Sequence, residues 1–294
     1  MVLLAVMLAA SVAEAAFPVT LVDDAGRKLT LDAKPSRIVS TAPSNTEALF
    51  ALGAGDRVVG VTTFCVDPPE ARTRAKVGDF SSLDFERVVA LEPDLVVATW
   101  LEQRRHVEKM EGLGLKVLVL YPTSIEGTMR SLEILGRATG AEERAAALVA
   151  GMRRRLGAID EKVKALPELD RPTVFVELGA SPLYTAGPGS TVDEVVVRAG
   201  GRNVAHDLGK PYATISREVV LARDPDFVIV GMGGAKGEAA RAFAGLAGFA
   251  RLRAVREGRV HDEIDPAVLF HQNERLVDGV EAVFALLHGK QASR

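Results

Sequence analysis

The stretch that decides the fold is AEERAAALVAGMRRRLGAIDEKVKAL, residues Ala141–Leu166. Its apolar side chains recur at steps of three and four residues, which is typical of one face of an α-helix. They are Leu148, Met152, Leu156, Ile159, Val163 and Leu166. Gly140 precedes the stretch as the predicted end of another helix, and Pro167 prevents the helix from continuing. The pattern predicts one long helix.

Similar sequences lie on the two sides of this helix. Residues Asp84–Ala98 (DFERVVALEPDLVVA) match Ser216–Val230 (SREVVLARDPDFVIV) at a constant offset of 132 residues, which places Glu86 on Glu218. Each segment has the pattern of a short helix, a Pro-Asp pair and an apolar strand. We therefore predict that one α/β unit is used twice, with the long helix between the copies.

A second pair of segments repeats at a larger offset of 146 residues. Ser44–Gly55 (SNTEALFALGAG) matches Ser190–Gly201 (STVDEVVVRAGG). Each begins with a serine predicted to cap a helix and carries an acid three residues later, as in a capping box. Because strands and helices alternate on both sides, the sequence predicts an α/β fold. It has two similar lobes, each a mostly parallel sheet wrapped by helices, joined by one long rigid helix.

The first residues differ from the rest of the chain. Met1–Ala16 (MVLLAVMLAASVAEAA) is apolar, too short to span a bilayer, and ends in a small-x-small pattern. It predicts a signal peptide and export to the periplasm as a soluble mature form without a membrane span. The predicted organisation is a signal peptide (1–16), an N-terminal α/β lobe (17–140), a connecting backbone helix (141–166) and a C-terminal α/β lobe (167–294).

The charge and the composition of the chain argue against several classes of function. The net charge is −3 and the basic run Arg153–Arg155 lies within the long helix, which argues against a nucleic-acid partner. A single cysteine, Cys65, excludes an internal disulfide and a cysteine-based zinc site. Only His271 and Glu274 have helical ligand spacing, and two ligands do not close a metal site. The sequence therefore predicts neither a resident metal nor a cofactor.

Enzyme motifs are not found. The run Gly231–Gly237 (GMGGAKG) has Lys236 where a dinucleotide fingerprint needs its third glycine. The sequence contains no G-x-S-x-G elbow and no H-E-x-x-H motif. A non-enzymatic protein is predicted, and a secreted α/β hydrolase using Ser44 or Ser190 is a remote alternative that esterase turnover would reveal.

Aromatic side chains are concentrated where predicted strands end. Ligands of parallel sheets bind beyond the carboxyl ends of the strands, and aromatic faces suit a large, flat, apolar ligand. Phe64 and Phe80 lie in the long predicted loop Thr62–Ser82, Trp100 follows a strand, and Tyr184 and Tyr212 lie in the predicted loops Gly179–Gly189 and His206–Thr214. These five residues predict a ligand site at the ends of the strands.

The chain resembles a known family in the run RIVSTAPSNTEALFALGAGDRVVGV (Arg37–Val61), followed by DPPEA and FERVVALEPDLVVA. These motifs resemble the periplasmic substrate-binding proteins of metal-chelate ABC importers, of the type with a helical backbone. KPYATISREVVLARDP (Lys210–Pro225) adds to the likeness, which is nearest to the cobalamin-binding branch. The resemblance implies a receptor that binds a corrinoid such as cobalamin between two lobes and delivers it to a permease dimer. Receptors for haem or a ferric siderophore share this scaffold and are the alternatives.

The resemblance also implies which residues bind the ligand and which dock onto the permease. Ring side chains flank the corrin in that family, a proline lines the floor, and glutamates dock onto arginines of the permease. The implied ligand-binding residues are Pro43, Phe64, Phe80, Trp100, Tyr184, Tyr212 and His271, and the docking residues are Glu86 and Glu218. If the ligand is haem, His271 or one of the two tyrosines is the expected axial ligand. Asp265–Glu274 (DPAVLFHQNE) lacks the Pro-Gly-Pro-Arg run of many relatives, which leaves the choice among these ligands open.

Overall fold

The computed structural model describes residues 17–79, 81–99, 104–231 and 237–289. The predicted signal peptide (1–16), Phe80 and Trp100 lie outside these ranges. Within the described ranges, no helix combines the length and the apolar character that crossing a membrane requires.

The first lobe is a five-stranded parallel sheet with a hairpin at its edge. Its strands are β1 (Val19–Val22), β2 (Lys28–Leu31), β3 (Ile38–Ser40), β4 (Val58–Val61), β5 (Ala75–Lys76), β6 (Leu95–Ala98) and β7 (Val117–Val119). Its helices are α1 (Pro43–Ala51), α2 (Phe85–Ala90), α3 (Arg104–Gly112) and α4 (Ile125–Thr139). The sheet order is β5-β4-β3-β6-β7, and β1 pairs with β2 in a separate antiparallel hairpin.

The long helix is α5, Glu142–Lys164, which is 23 residues or about 35 Å long. Its buried stripe packs into one core cluster that also contains side chains from both sheets. The stripe consists of Ala145, Val149, Met152, Leu156, Ile159 and Val163. Gly140, in the left-handed conformation with φ 62°, ends α4 as predicted. Gly136 then allows α4 and α5 to cross closely, because an added Cβ there would lie 2.5 Å from Ala145 Cβ.

The second lobe repeats the plan with an added hairpin. Its strands are β8 (Thr173–Ala180), β9 (Leu183–Ala186), β10 (Arg202–Asn203), β11 (Tyr212–Thr214), β12 (Phe227–Val230) and β13 (Val260–His261). Its helices are α6 (Thr191–Arg198), α7 (Arg217–Arg223), α8 (Glu238–Ala244), α9 (Arg253–Arg256), α10 (Pro266–Phe270) and α11 (Leu276–His288). The order is β11-β9-β8-β12-β13, and β10 pairs with the start of β8. The architecture confirms the predicted α/β fold class.

Three segments predicted as loops contain strands. Gly179–Gly189 contains β9, and β11 ends the predicted loop His206–Thr214; both strands are antiparallel to their neighbours. Thr62–Ser82 contains β5 and a 3-10 turn at Pro69–Thr73. These predictions were wrong because strands of two to four residues are too short for a period of two to stand out.

The repeat predicted at the offset of 132 residues has the same structural role in both lobes. Asp84 and Ser216 are the N-caps of α2 and α7, each accepting a hydrogen bond from a backbone amide three residues later. Asp94 and Asp226 each accept hydrogen bonds from the backbone at the start of the central strand, β3 or β8. Both lobes therefore use side chains at equivalent positions to join a helix–strand unit to its sheet.

The predicted cap at Ser44 is wrong. Helix α1 begins at Pro43, and its N-cap, Ala42, makes no side-chain cap. Proline is favoured at this position because its fixed φ suits the first turn and it has no amide hydrogen to satisfy. Ser190 does cap α6, accepting a hydrogen bond from Asp193 N at 3.1 Å. Glu47 is therefore not part of a capping box, and its carboxylate is free to reach the second lobe.

Two carboxylates near α11 should change the stability of the fold with pH in opposite directions. Burial raises the pKa of Glu274, and its Oε2 is buried without a partner. A hydrogen bond from Arg155 lowers the pKa of Glu281. A raised carboxyl pKa means that the folded state loses stability as the pH rises through the carboxyl range, whereas a lowered pKa means that stability is lost as the pH falls.

We therefore expect Glu274→Gln to stabilise the protein at about pH 7, by about 1 kcal/mol, because it removes a half-buried charge whose Oε2 has no hydrogen-bond partner. Glu281→Gln should destabilise it by a few tenths of a kcal/mol, roughly the contribution of a partly exposed ion pair. Both differences should shrink toward about pH 3. Urea unfolding at the two pH values measures this, and a destabilising Glu274→Gln at neutral pH would contradict it.

Candidate ligand-binding cleft

Tyr212 lies within electrostatic reach of the other two tyrosines of the chain, Tyr121 and Tyr184. Burial raises the pKa of the Tyr212 phenol, and the phenols of Tyr121 and Tyr184 raise it further, against a hydrogen bond with Thr191 that lowers it. Tyr121 belongs to the first lobe, whereas Tyr184 and Tyr212 belong to the second. We call these residues the tyrosine cluster, and it spans the boundary between the lobes.

Backbone pairing and one carboxylate position the tyrosine cluster. In the β9–β11 ladder, Thr214 lies opposite Tyr184 and Tyr212 lies opposite Ala186, so both rings stand on one rigid hairpin extension. Tyr121 follows β7, and its backbone amide donates to Asp24 Oδ2 at 2.8 Å. The rings are therefore held by strands and by a fixed loop.

Polar side chains extend the cluster toward the end of the chain. Thr191, the first residue of α6, is hydrogen-bonded to Tyr212, and Gln272 Nε2 lies 3.4 Å from Thr191 Oγ1. The backbone amides at the start of α6 give this edge a partial positive charge. The edge can therefore bind an apolar ring system and orient polar groups at its periphery.

A buried carboxylate crosses from one lobe to the other. Glu47 on α1 accepts hydrogen bonds from His271 Nδ1 at 2.7 Å and from Asn273 Nδ2 at 2.6 Å, and Arg275 Nη1 lies 3.8 Å away. The side chain of Glu47 is 5% exposed. We call this contact the Glu47 junction. A second acid also crosses the boundary, because Glu194 on α6 accepts a hydrogen bond from the backbone amide of Ile125.

The remaining predicted site residues have different environments. Pro43 is the first residue of α1, and Phe64 lies in the segment after β4 with 60% of its surface exposed. An exposed phenylalanine of this size can contact a ligand without first leaving a core. Phe80 and Trp100 lie outside the described residues, so their part in the site stays a prediction.

An open cavity of about 690 Å³ adjoins the Glu47 junction. Its lining combines several acids with two arginines and an apolar wall that includes Phe50 and Pro68. None of the predicted ligand-binding residues that the structure describes lines this cavity. We therefore take the tyrosine cluster, to which each lobe contributes at least one tyrosine, as the candidate site.

His271 and Glu274 do not form the metal-ligand pair that their spacing suggested. His271 is the extended residue that ends α10, and its bonded carboxylate is Glu47 rather than Glu274. Among the described residues, no group of three or more His, Cys, Asp or Glu side chains is placed to hold a metal ion.

Ser190, one of the two serines of the hydrolase alternative, has a structural role as a helix cap. The Ser190 hydroxyl is buried, donates to Gly187 O at 2.8 Å and accepts from the Asp193 amide. Among the described residues, both recorded hydrogen bonds of this hydroxyl are with backbone groups rather than with a base that could activate it.

Glu86 and Glu218 are exposed and lie in the first turns of α2 and α7. Hydrogen bonds with its own backbone amide and with Ser216 lower the pKa of Glu218, so it carries a charge at neutral pH. The equivalent positions of the two residues follow from the repeat.

Sequence reasoning missed the Glu47 junction and Tyr121. Glu47 was assigned to a capping box, and only the helix start at Pro43 frees it to cross the boundary. Tyr121 follows a strand just as Tyr184 was thought to, so the same strand-end rule could have identified it. Asn273 and Gln272 carried no signal, because polar residues in a turn are common.

Comparisons with known proteins identify the family. The model of the family described as periplasmic binding protein matches residues 38–263. This chain belongs to the periplasmic binding protein family. Its members are the non-enzymatic substrate-binding proteins of ABC importers, so this periplasmic binding protein acts with a permease on a small-molecule ligand.

Three similar proteins illustrate the family, and the two whose ligands are named bind different ones. An uncharacterized ABC transporter substrate-binding lipoprotein of Bacillus subtilis is 33% identical over 270 residues, which are 90% of this chain and 84% of that protein. A cobalamin-binding protein of Halobacterium salinarum is 38% identical over 74% of this chain and 59% of its own length. The crystal structure of a periplasmic heme-binding protein from Pseudomonas aeruginosa is 32% identical with a TM-score of 0.77, covering 87% of this chain and 94% of that one.

Proposed function

We propose that this periplasmic binding protein binds a corrinoid such as cobalamin between its lobes and delivers it to a permease dimer from the periplasm. The observation that carries the proposal is the tyrosine cluster, in which Tyr121 of one lobe and Tyr184 of the other both lie close enough to Tyr212 to act on its phenol electrostatically. Such rings offer a wide apolar contact with little loss of side-chain entropy, and the polar edge beside them suits peripheral amides.

Two further findings support this ligand. The relatives include the cobalamin-binding protein of Halobacterium salinarum, which is 38% identical to this chain. They also include a crystal structure of the vitamin B12-binding protein of Vibrio cholerae, with a TM-score of 0.75 and 26% identity. The proposed ligand contacts also include Pro43, Phe64, Phe80 and Trp100.

Haem is the second candidate. It is favoured by the likeness to the heme-binding protein of Pseudomonas aeruginosa and by the presence of His271 at the lobe boundary. A ferric siderophore is a third ligand on the same scaffold. All three are metal chelates, so the ligand and not a resident cofactor would bring the metal.

In the permease, the proposed partners of Glu86 and Glu218 are arginines. A receptor with an internal repeat presents one acid from each lobe, which fits a dimer with twofold symmetry. Charge-assisted pairs between carboxylate and guanidinium would fix the orientation.

A panel of ligands tests the proposal. We expect cyanocobalamin and cobinamide to saturate the protein in calorimetry with a submicromolar Kd, which corresponds to about −8 kcal/mol or better. The absorbance spectrum of protein purified without added ligand should show a corrinoid if one is retained. Saturation by haem or a ferric siderophore, with no heat from either corrinoid, would assign the site to the second or third candidate.

A further inference from the structure

We propose that a pocket beside α7 binds an aliphatic side chain of the permease, one helical turn from the carboxylate of Glu218. This inference rests on the proposed function, because it extends the surface through which Glu86 and Glu218 are proposed to dock. Charge pairs at the rim of an interface mainly set the encounter rate and the orientation, whereas buried apolar contacts supply most of the binding energy. The pocket provides a place for such a contact.

The pocket lies on the same face of α7 as Glu218. Leu221 and Ala222 follow Glu218 by three and four residues, and side chains at these spacings are neighbours on the surface of a helix. Both residues line a cavity of about 380 Å³, which we call the α7 pocket. Its other lining residues are Asp224, Arg251 and Leu252. The pocket therefore begins one helical turn from the proposed docking carboxylate.

Apolar side chains form the inner part of the α7 pocket. Leu252 is buried and Leu221 is half-buried. Leu221 lies against the turn at Gly248, because a Cβ added to this glycine would lie 3.1 Å from Leu221 Cδ1. Ala222 is exposed, and its small methyl group leaves space that a larger side chain can fill. An apolar group of a partner can therefore be buried here.

The charged residues of the α7 pocket favour an uncharged occupant. The carboxylate of Asp224 already accepts a hydrogen bond from the backbone amide of Arg253 at 2.7 Å, and the Arg253 guanidinium lies 3.6 Å from it. Arg251 is exposed, and its charge would repel a second cation from the permease. The partner chemistry is therefore an arginine that pairs with Glu218 and an aliphatic side chain about one turn away that enters the pocket.

The first lobe also has an apolar residue one turn after its proposed docking acid. The offset of 132 residues places Val89 on Leu221 and Ala90 on Ala222. Val89 is 43% exposed. Single exposed apolar residues are common, but here both copies of the repeat have one beside a glutamate. A dimeric permease presents the same segment to each lobe, so one copy of its aliphatic side chain would contact Val89 and the other would enter the α7 pocket.

The test measures complex formation between the purified receptor and membrane vesicles from cells that produce its importer. Ala222→Trp fills the α7 pocket, and Val89→Asp replaces the apolar contact of the first lobe with a charge. We expect each variant to weaken the complex about tenfold, as the loss of one buried aliphatic contact predicts. Both replaced side chains are exposed, so the melting temperature should stay near that of the native protein.

Salt separates the apolar contact from the charge pairs. Screening weakens interactions between exposed charges but does not weaken apolar contacts. The loss in Ala222→Trp should therefore persist at high salt, whereas the difference between the native protein and the double variant of Glu86 and Glu218 should shrink. A loss in Ala222→Trp that disappears at high salt would contradict an apolar contact.

Ala158 supplies the matched control. It is an exposed alanine on α5 that lines a different surface cavity, between α5 and α11. Ala158→Trp therefore adds the same side chain to a surface that we do not assign to docking, and it should leave complex formation unchanged. An equal loss in this variant would mean that the added tryptophan acts generally, which would overturn the inference.

The apolar contact and the charge pairs are tested by different variants, so their failures are distinguishable. If the double variant of Glu86 and Glu218 weakens the complex but Ala222→Trp and Val89→Asp do not, the docking role stands and the inference is overturned. If only the two apolar variants weaken the complex, the α7 pocket is supported and the glutamates lose their docking role. If none of these variants weakens it, this surface does not dock and both proposals are wrong.

Discussion

Replacing Glu86 and Glu218 together with alanine is expected to reduce import about tenfold or more while the ligand affinity and melting temperature of the receptor stay nearly unchanged. Both side chains are exposed and stand at equivalent places in the repeat, so neither supports the core. If they pair with permease arginines, their loss removes the contacts that set encounter rate and orientation. The change is measured as uptake of labelled ligand by cells that produce each variant.

A control separates this role from a general charge effect. Glu143 is an exposed acid in the first turn of α5, and Glu143→Ala removes the same charge from a surface that we do not assign to docking. It should leave uptake unchanged. Because the proposed pairs lie at the rim, complex formation with the permease should weaken as salt rises. Normal import by the double variant at normal expression would remove the docking role of both glutamates.

The second large effect concerns stability. Glu47→Ala should lower the free energy of unfolding by roughly 2–4 kcal/mol, because it leaves His271 and Asn273 without their shared acceptor and removes the carboxylate 3.8 Å from Arg275. The expected loss of stability is at the low end for a buried ion pair, because the side chains of His271 and Arg275 are about one-third exposed and water partly screens their charges. Urea denaturation measures the change.

Asp56 provides the matched comparison, since it lines the same cavity but its side chain is fully exposed. Asp56→Ala should change the free energy of unfolding by about 0.5 kcal/mol or less, as for most surface substitutions. Equal effects of the two substitutions would show that the Glu47 junction does not hold the lobes together.

The fold could be predicted largely because its signals are long or repeated. The stripe of α5 runs from Ala145 to Val163, about five turns, and the Pro-Asp units recur with a constant offset, so each supports the other. Asp94 and Asp226 show why the repeat is detectable in the sequence: each carboxylate binds the start of a central strand, and another side chain would leave those amides unpaired.

The site could be predicted only in part because it depends on contacts between distant residues. Tyr184 was predicted to lie in a loop after a strand, whereas it lies within β9, a strand of four residues whose pairing partners the local sequence does not show. Glu47 and His271 are 224 residues apart, and no local pattern predicts their hydrogen bond. The local pattern even favoured a different role for Glu47, as part of a helix cap.

We propose that a flat chelate binds against the tyrosine cluster between the lobes, and that this chelate is a corrinoid. Equilibrium dialysis of cyanocobalamin against the native protein, Tyr212→Phe and Tyr212→Ala tests it most directly. We predict a submicromolar Kd for the native protein and a small change for Tyr212→Phe, which keeps the ring. Loss of the ring in Tyr212→Ala should weaken binding roughly 10- to 100-fold, about 1.5–3 kcal/mol of buried aromatic contact. Corrinoid binding that is absent, or that is as tight in Tyr212→Ala as in the native protein, would contradict the account.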